Sequence, residues 1–303
     1  MDIAVVVVTW NTRQLALDTL RSLFADLASS GLQAEVYLVD SASSDGTAEA
    51  VAAAFPQVKL TASQENLGFG KANNLAIQQI MSRADAPNAI YLLNPDTVTQ
   101  PGATRALYDA LMASPRVGLV GARLSYGDGS FQHGAFGFPG LRQLWVEFFP
   151  TPGRLIEGRF NGRYPRALYD AGQPFPVDFT LGATMMLKRE AVEQTKGFDE
   201  QFFMYCEEID WAWRIHRAGW DVLCVPAAHV VHLGGQSTAQ VRPQSLINLW
   251  TSRLLLYRKH HPAWKFTLAR LITAAGMWQK MRHESQPTLR EAYQTIYRMA
   301  LNP

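Results

Sequence analysis

Apolar runs alternate with helically spaced apolar positions along the first part of the chain. Continuous apolar runs bounded by polar turns predict buried strands at residues 3–9, 35–40, 58–61, 89–93 and 117–124. Apolar spacings of three and four predict the intervening helices at residues 13–27, 48–55, 68–81 and 102–113. Strands that alternate with helices at short spacing indicate an α/β fold: a doubly wound, mostly parallel sheet with right-handed crossovers and helices on both faces.

The pattern is harder to interpret after residue 131. Residues 132–176 are rich in Gly, Pro and aromatic side chains without clear periodicity, so we predict a long, partly mobile loop over the edge of the sheet. Strand-like character returns at residues 177–187, followed by a helix at 207–218 and a last strand at 221–226.

The C-terminal region differs from the rest in both pattern and charge. Residues 245–281 predict two amphipathic helices broken at His261-Pro262, and we place a domain boundary between residues 240 and 241. From Arg242 onward the chain has ten basic residues and only two acidic ones, Glu284 and Glu291. The preceding part has 18 basic and 24 acidic residues. The basic helices carry three tryptophans, at Trp250, Trp264 and Trp278. They are expected either to contact an anionic membrane or to pack on the sheet with a solvated basic face.

Composition narrows the class of protein. A chain of 303 residues with 48% hydrophobic and 18% charged residues is typical of one large globular α/β domain with an appendage. No uninterrupted apolar run reaches the ~18 residues of a membrane-spanning helix, and the start lacks a signal peptide, so we expect a cytoplasmic protein. Cys206 and Cys224 show neither metal-site nor disulfide-framework spacing.

The segment Leu92-Leu93-Asn94-Pro95-Asp96 is the first candidate for chemistry. Asp96 follows a buried strand, and open α/β sheets bind ligands beyond the carboxyl ends of their strands. A carboxylate there suits a divalent cation that carries a diphosphate. The alternative is that Asp96 caps the next helix, because residues 97–101 are predicted as a turn and helix start.

Polar side chains also follow the first two strands. Thr9-Trp10-Asn11 closes the first, and Asp40 ends the second, where an acid can accept hydrogen bonds from a ribose or a base. Asp45-Gly46-Thr47 is interpreted as an ordinary turn and helix cap.

The segment Asn66-Leu67-Gly68-Phe69-Gly70-Lys71-Ala72-Asn73-Asn74 opens the predicted third helix. Its glycines allow close backbone approach, and its Lys and Asn side chains offer donors to a diphosphate or sugar, unless the glycines only mark the helix start. The segment is not a phosphate-binding P-loop, and no dinucleotide-binding glycine pattern follows the first strand, which excludes a dehydrogenase.

Three acids in an aromatic setting form the richest cluster, at Glu207, Glu208 and Asp210. Burial raises the pKa of a carboxyl group, and such a group can act as a general base toward an acceptor hydroxyl. Helical spacing predicts an ion pair between Asp210 and Arg214. The alternative is a solvated first helical turn whose acids the helix dipole favours.

Two histidines follow near the end of the predicted sheet. His232, in His-Leu-Gly-Gly-Gln-Ser, is predicted to lie past a strand end on the same side as Asp96, where it is a candidate for metal or phosphate contact. His229 is interpreted as structural.

Taken together, these segments resemble an inverting family 2 glycosyltransferase of the GT-A fold, in its rhamnosyltransferase-like branch. The resemblance covers about residues 3–237 and rests on motifs that occur in the order of that family: VVVVTWN, VDSASSDGT, NLGFGKANN, LLNPD, GFDEQFFMYCEEIDWAWR and HLGGQS.

The resemblance implies roles for donor-binding residues. Thr9 and Asn11 would line the nucleotide pocket, and Asp40 would hold the base or ribose. The residues that would shape the site around the diphosphate and sugar are Asn66, Gly68 and Asn73.

It also implies a metal site and a base. Asn94 replaces the first acid of the Asp-X-Asp metal motif of the family, which leaves Asp96 as the main carboxylate on Mg²⁺ or Mn²⁺ and His232 as a second ligand. Glu208 stands where the family usually has Asp, so it or Glu207 would be the catalytic base. Asp210 and Arg214 would support the catalytic and donor sites.

The expected activity is inverting transfer of a sugar, L-rhamnose from dTDP-rhamnose by resemblance, to a glycan or polyprenyl-linked hydroxyl at the inner face of the cell membrane. The alternatives are a UDP-sugar donor, a catalytically inactive nucleotide-sugar-binding module and a nucleotidyltransferase. The last would need a glycine-rich basic loop after the first strand, which Trp10-Asn11-Thr12 does not supply. No nucleic acid partner is expected.

Overall fold

The structure is a computed structural model that describes residues 1–234 and 242–302. Its strands are β1 (Ile3–Thr9), β2 (Ala34–Asp40), β3 (Lys59–Ala62), β4 (Ala89–Leu93), β5 (Thr97–Thr99), β6 (Val117–Ser125), β7 (Phe131–Gln132), β8 (Ala135–Phe136), β9 (Phe175–Pro176), β10 (Phe179–Thr180), β11 (Thr184–Lys188) and β12 (Asp221–His232). Its helices are α1 (Arg13–Ser30), α2 (Thr47–Ala54), α3 (Gly68–Met81), α4 (Ala103–Met112), α5 (Leu141–Phe148), α6 (Gly153–Ile156), α7 (Arg166–Asp170), α8 (Arg189–Thr195), α9 (Glu207–Arg217), α10 (Arg242–His260), α11 (Ala263–His283) and α12 (Pro287–Leu301).

A central sheet in the order β3-β2-β1-β4-β11-β6-β12-β5 confirms the predicted α/β architecture. The first four strands of that order are parallel, as are β6 and β12, while β11 runs antiparallel between β4 and β6. Alternate residues of β1 face opposite sides, so Ala4 and Val6 join one core while Ile3, Val5 and Val7 join the other. Burial on both faces explains why the strands appear in the sequence as continuous apolar runs.

The structure corrects the interpretation of the segment after Asp96. Residues 97–99 form strand β5, antiparallel to β12, with His232 opposite Thr97. The next helix begins only at Ala103, and the carboxylate of Asp26 accepts the Gly102 N–H at 2.5 Å and the Thr104 N–H at 2.9 Å. Asp26 therefore caps α4, and the helix-cap alternative for Asp96 is wrong.

The predicted loop at residues 132–176 is wrong as well. The segment folds into short strands and helices, from the end of β7 to β9, whose aromatic side chains enter the core. Tyr169 is fully buried and contacts Phe131 and Phe175 edge to face at 4.9 and 5.1 Å between ring centroids. The elements are too short to leave a periodic signal, so the sequence showed their apolar content without their shape.

Two strand boundaries also differ from prediction. The predicted strand at 177–187 is two strands, β10 and β11, and the last strand continues from residue 226 to His232. The register of β12 against β6 shifts between Val225 and His229, so Pro226 lies in a bulge. Proline cannot donate to the sheet and is tolerated there, so it did not end the strand.

The C-terminal region contains the two predicted helices, α10 and α11, and a third, α12, which the sequence analysis missed. Side chains of α5 and the three helices form a core of their own, centred on Leu144, Trp250, Ala269, Met277 and Ile296. α5 crosses α11 at Gly276, where a Cβ atom would overlap the ring of Phe148. No described helix combines the length and apolarity needed to cross a membrane. The boundary predicted between residues 240 and 241 lies outside the described residues.

Candidate active site

A cavity of about 260 Å³ opens at the carboxyl ends of β1, β2 and β4. It is lined by Val8, Thr9, Trp10, Ser41, Asn66, Gly68, Phe69, Asn94, Pro95, Asp96, Leu181, Gly182, Ala183, Met204, Tyr205, Glu207, Glu208 and His232. Strand ends and helix starts dominate this list because the parallel half of the sheet brings its carboxyl ends to one edge.

The structure separates the predicted site residues into two groups. Those that line the cavity are Thr9, Asn66, Gly68, Asn94, Asp96, Glu207, Glu208 and His232. Those that do not line it are Asn11, Asp40, Asn73, Asp210 and Arg214. The side chains of the second group are bonded to other parts of the structure, as described below.

Asp96 and His232 form a buried pair at one end of the cavity. The register of β5 on β12 brings them together, with His232 Nε2 3.5 Å from Asp96 Oδ1. The other imidazole nitrogen, Nδ1, lies 3.2 Å from Gln132 Oε1, and the Leu233 N–H donates to the Asp96 carbonyl at 2.9 Å. His232 is the last residue of β12 rather than a residue beyond it, and the motif HLGGQS is described only as far as Gly234.

The chemistry of these side chains suits a divalent cation. A carboxylate and an imidazole bind Mn²⁺, and Mg²⁺ is commonly held by one or two carboxylates with substrate phosphates. The Asn94 Oδ1 atom is buried and has no hydrogen-bond partner among the described residues, so it is available as a further oxygen ligand. Within residues 1–234 and 242–302 no group of three or more His, Cys, Asp or Glu side chains is arranged to hold a metal ion. Water or substrate oxygens would complete the coordination of an ion at Asp96.

Asp40 and Asn11 hold together the loops that carry the cavity residues Trp10 and Ser41. Both oxygens of the buried Asp40 carboxylate are occupied: Oδ1 accepts Thr9 Oγ1 at 2.9 Å and Oδ2 accepts the Ser43 N–H at 3.0 Å. Asn11 Oδ1 accepts the Ser44 N–H at 2.7 Å. These bonds fasten the loop after β2 onto the end of β1.

The start of α3 is fastened to the segment that precedes α9. Gly68 has a φ of +71°, and a Cβ atom there would overlap the carbonyl oxygen of Phe203, which accepts the Phe69 N–H at 3.2 Å. Glycine is required here by close backbone approach. Asn73 donates to the Phe69 carbonyl at 3.0 Å inside the helix, and Lys71 pairs with Glu65 at 3.3 Å.

Asn74 was not singled out by the sequence analysis, yet it anchors the same segment. Its Oδ1 accepts the Phe198 N–H and its Nδ2 donates to the Phe198 carbonyl, both at 2.9 Å. The side chain completes the hydrogen bonding of a loop residue far away in sequence. Only a tertiary contact reveals this role, because Asn near a helix start has many local uses.

Glu207 and Glu208 enter the cavity from a strained turn. Tyr205 and Cys206, directly before α9, have φ values of 71° and 66° in the left-handed region, which costs energy for residues other than glycine. Glu207 is buried, and its Oε2 atom has no hydrogen-bond partner among the described residues. Such strain and unmet hydrogen bonding concentrate at functional sites.

Burial changes the acidity of both glutamates. It raises the pKa of Glu208 to about 7. Burial and the neighbouring Glu208 charge raise the pKa of Glu207 well above its ordinary value. The solvated-turn alternative is therefore wrong. Near neutral pH the pair holds a proton that a solvated pair would have lost.

Asp210 lies on the same helix but contacts α10 instead. Its fully buried carboxylate accepts His260 Nε2 at 2.7 Å, Lys259 Nζ at 2.6 Å and Arg214 Nε at 2.8 Å, which confirms the predicted Asp210–Arg214 pair. Burial acts to raise the pKa of Asp210, but the His260, Lys259 and Arg214 contacts outweigh it and lower that pKa to about 2. Arg214 also donates to the carbonyl of Gly197 at 2.6 Å.

Several lining residues escaped the sequence analysis as individual candidates. Ser41 has a buried hydroxyl without a hydrogen-bond partner among the described residues, and Met204 and Tyr205 form the wall before α9. Ser41 directly follows a strand end, as Asp96 nearly does. That position in the sequence could have identified Ser41 as a candidate site residue. His229, interpreted as structural, lies 2.9 Å from Ser125 Oγ and does not line the cavity.

The comparison with known proteins agrees with this geometry. The model of a family described as glycosyltransferase-like family 2 matches residues 1–249. The chain belongs to this family. It is 31% identical over 240 residues, 76% of each chain, to N-acetylglucosaminyl-diphospho-decaprenol L-rhamnosyltransferase of Mycobacterium tuberculosis. It is also 27% identical over 170 residues to rhamnosyltransferase WbbL of Escherichia coli, covering 54% of this chain and 60% of that one. The protein is a glycosyltransferase, and the nucleotidyltransferase alternative is excluded.

Solved structures confirm the GT-A fold. GalNAc-T7 with UDP, GalNAc and Mn²⁺ superposes with a TM-score of 0.61 at 13% identity, over 99% of this chain and 56% of that one. The mannosyltransferase PcManGT from Pyrobaculum calidifontis, in complex with GDP-Man and Mn²⁺, gives a TM-score of 0.57 at 18% identity, over 99% and 84%. The chain spans little more than half of the GalNAc-T7 structure.

Proposed function

We propose that this glycosyltransferase moves L-rhamnose from dTDP-rhamnose, with inversion, to a hydroxyl of a polyprenyl-linked glycan at the inner face of the cell membrane. The mycobacterial relative is named for a rhamnosyl transfer to a decaprenyl-linked sugar, and that relative supports both donor and acceptor class. A UDP-sugar donor is the second candidate, favoured by the UDP-bound structural neighbour.

One observation carries the proposal: a single cavity joins a place for a metal-bound diphosphate to a place for a base. The Asp96–His232 pair and Asn94 lie in that cavity, as do the two glutamates whose pKa values burial raises. Displacement of a diphosphate by a hydroxyl needs charge stabilisation at the leaving group and proton removal at the nucleophile. A cavity that only binds a nucleotide does not need a group that removes a proton from a nucleophile.

Asp96 and His232 would hold Mg²⁺ or Mn²⁺, with Asn94 beside them; when bound, such an ion offsets the charge that builds on the departing diphosphate. Thr9, Asn66 and the backbone near Gly68 would contact the donor. The two similar structures, which were solved with Mn²⁺, support the choice of a divalent ion.

The proton transfer falls to Glu208. Burial and the neighbouring Glu208 charge raise the pKa of Glu207 well above its ordinary value, and burial raises that of Glu208 to about 7, so we assign ionisation to Glu208. The Glu208 carboxylate takes the proton of the acceptor hydroxyl while the hydroxyl oxygen bonds to the anomeric carbon. The bond from that carbon to the diphosphate oxygen breaks on the opposite face, and the nucleoside diphosphate leaves with the electron pair.

The remaining alternative is an inactive nucleotide-sugar-binding module. The replacement of an acid by Asn94 is its support, since one negative charge is missing from the metal site. A buried Glu207 and a half-buried Glu208 that contribute nothing to nucleotide binding would only destabilise such a module, so the acid pair favours the enzyme.

Thermal melting with nucleotides tests the donor site. With dTDP at ~100 times its dissociation constant and Mn²⁺ present, the wild type should gain about 2.7 kcal/mol, and Asp96→Asn should lose that gain. Asp128→Asn, in an exposed turn, is the matched control and should keep it. If Asp96→Asn responds to dTDP and Mn²⁺ as the wild type does, the metal assignment is wrong. A response to UDP but not to dTDP would favour the second donor.

A further inference from the structure

Helix α11 presents a row of large apolar side chains to solvent. Trp264, Leu268, Leu271 and Trp278 are 58, 42, 55 and 49% exposed. Their spacings of four, three and seven residues place them on one face of the helix. Exposed apolar side chains scattered singly are ordinary, but a continuous row on one helix indicates a contact surface. We call these four residues the outer face of α11.

The inner face of the same helix is already covered. Ala269, Thr273, Ala274, Gly276 and Met277 are buried, mostly small, and let α12 and α5 approach closely. The core of the C-terminal helices therefore needs nothing from the outer face. The two tryptophans of the outer face, Trp264 and Trp278, do not belong to that core and form a separate apolar surface.

Charge decides which partner fits this surface. The Lys265 ammonium lies 5.6 Å from the ring centroid of Trp264, and the Arg282 guanidinium lies 4.7 Å from that of Trp278. Neither cation makes an ion pair with any residue in the described part of the chain, and α11 contains no acidic residue. Indole rings bracketed by cations are typical of helices that lie in an anionic lipid interface, whereas the centres of protein interfaces are depleted of charge.

The outer face is held at a fixed place relative to the catalytic helix. α10, joined to α11 through His261-Pro262, donates from Ser252 Oγ to the Met204 carbonyl at 2.7 Å. Its Lys259 pairs with both Asp199 and Asp210 at 2.6 Å. The C-terminal helices are thus fastened to the segment from which Glu207 and Glu208 project.

We propose that the outer face of α11 docks on an anionic lipid surface, with Trp264 and Trp278 at the level of the headgroups and Lys265 and Arg282 against lipid phosphate. Docking presents the active-site cavity to an acceptor embedded in the same membrane. That last step rests on the proposed function, whereas binding to the lipid surface does not.

Vesicle co-sedimentation of the full chain tests the docking. The wild type should bind vesicles of phosphatidylglycerol and phosphatidylcholine well and pure phosphatidylcholine weakly, and salt should weaken the binding. Trp264→Ala/Trp278→Ala should lower the affinity by about tenfold per indole. Lys265→Gln/Arg282→Gln should lower it by about fivefold per cation. On anionic vesicles, the wild-type tryptophan emission should also shift to the blue.

Matched controls come from exposed positions elsewhere on the chain. Tyr126→Ala removes a 46% exposed aromatic side chain, and Arg21→Gln/Arg105→Gln removes two exposed cations from α1 and α4; both should bind as the wild type does. The dTDP and Mn²⁺ melting response of every variant shows that it is folded, and separates loss of docking from failure of the donor site.

The proposal is overturned if the wild type binds no vesicle, if it binds neutral and anionic vesicles equally, or if the tryptophan variant binds as tightly as Tyr126→Ala.

Discussion

Glu207 and Glu208 at the start of α9 and Asp210 within the same helical turn meet opposite environments. The glutamates face a cavity, Glu207 leaves an oxygen without a described partner, and burial raises the pKa of both. Asp210 is fully buried, yet contacts from His260, Lys259 and Arg214 lower its pKa. Sequence distance and residue chemistry are nearly the same, so partners brought by other elements make the difference.

The contrast shows how one helix turn can be both anchored and reactive. A buried carboxylate with a full set of donors is fixed in its charged form and holds α10 against α9. For Glu207 and Glu208, burial outweighs the few backbone hydrogen bonds that their carboxylates accept, so both resist ionisation. The left-handed backbone at Tyr205 and Cys206 directly precedes the reactive pair, and such strain persists only where the surrounding structure fixes it.

The largest expected effect comes from removing the reactive carboxylate. Glu208→Gln should lower kcat by about 10²–10⁴-fold, because the amide cannot take the proton of the acceptor. Steady-state assay of sugar transfer measures it, with Glu208→Asp as the conservative variant that keeps most of the activity. Equal rates for wild type and Glu208→Gln would move the base to Glu207 or remove the acid pair from the chemistry.

The pH profile sharpens the same prediction. Because the base must be ionised and burial raises its pKa to about 7, kcat/KM of the wild type should climb as pH rises toward 7 and level off above it. The residual activity of Glu208→Gln should lack that rise. A profile already flat from pH 5 would show that Glu208 does not limit the rate.

Removing the anchored carboxylate should act on stability instead. Asp210→Asn removes the counter-charge of Arg214 and Lys259, whose side chains are only 24 and 28% exposed, and should lower the free energy of unfolding by about 3–5 kcal/mol. Denaturant unfolding measures the change. The matched control is Asp109→Asn, which breaks a surface pair of the same spacing with Arg105 and should cost less than ~1 kcal/mol. Similar losses for the two variants would contradict the anchoring role.

The smallest expected effect is an increase in the free energy of unfolding when Glu208 is replaced by glutamine. A carboxyl group whose pKa is raised by folding favours the folded state at low pH, and this contribution is lost as pH rises through the folded pKa. Glu208→Gln should therefore raise the free energy of unfolding by about 1–3 kcal/mol at pH 8 and hardly at all at pH 4. Melting temperatures of both proteins across that range test the sign; stabilisation only at low pH would contradict it.

Much of the fold followed from local patterns. Residues 68–81 and 89–93 were predicted with the bounds that the structure gives, because long periodic or continuous apolar signals need no partner to be recognised. The segment 132–176 and strand β5 were missed, since elements of two to eight residues take their shape from the surfaces on which they pack.

The site followed from local patterns only in part. Asp96, His232 and Glu208 were found because polar residues at strand ends and helix starts stand out against apolar runs. The capping role of Asp26, the anchoring role of Asn74 and the satisfied state of Asp210 were not, because each depends on a partner more than 45 residues away.

The sequence by itself determined which segments become buried strands and amphipathic helices. It also determined that the carboxylates Asp40 and Asp96 lie at the ends of two strands. Both the elements and these positions depend on residues close together in the chain. Only the tertiary structure decided which carboxylates are paired with cations and which can take part in proton transfer. Free energies of ionisation depend on burial and on the nearest charges, and packing alone brings His260 to Asp210 while leaving the Oε2 atom of Glu207 without a hydrogen-bond partner among the described residues.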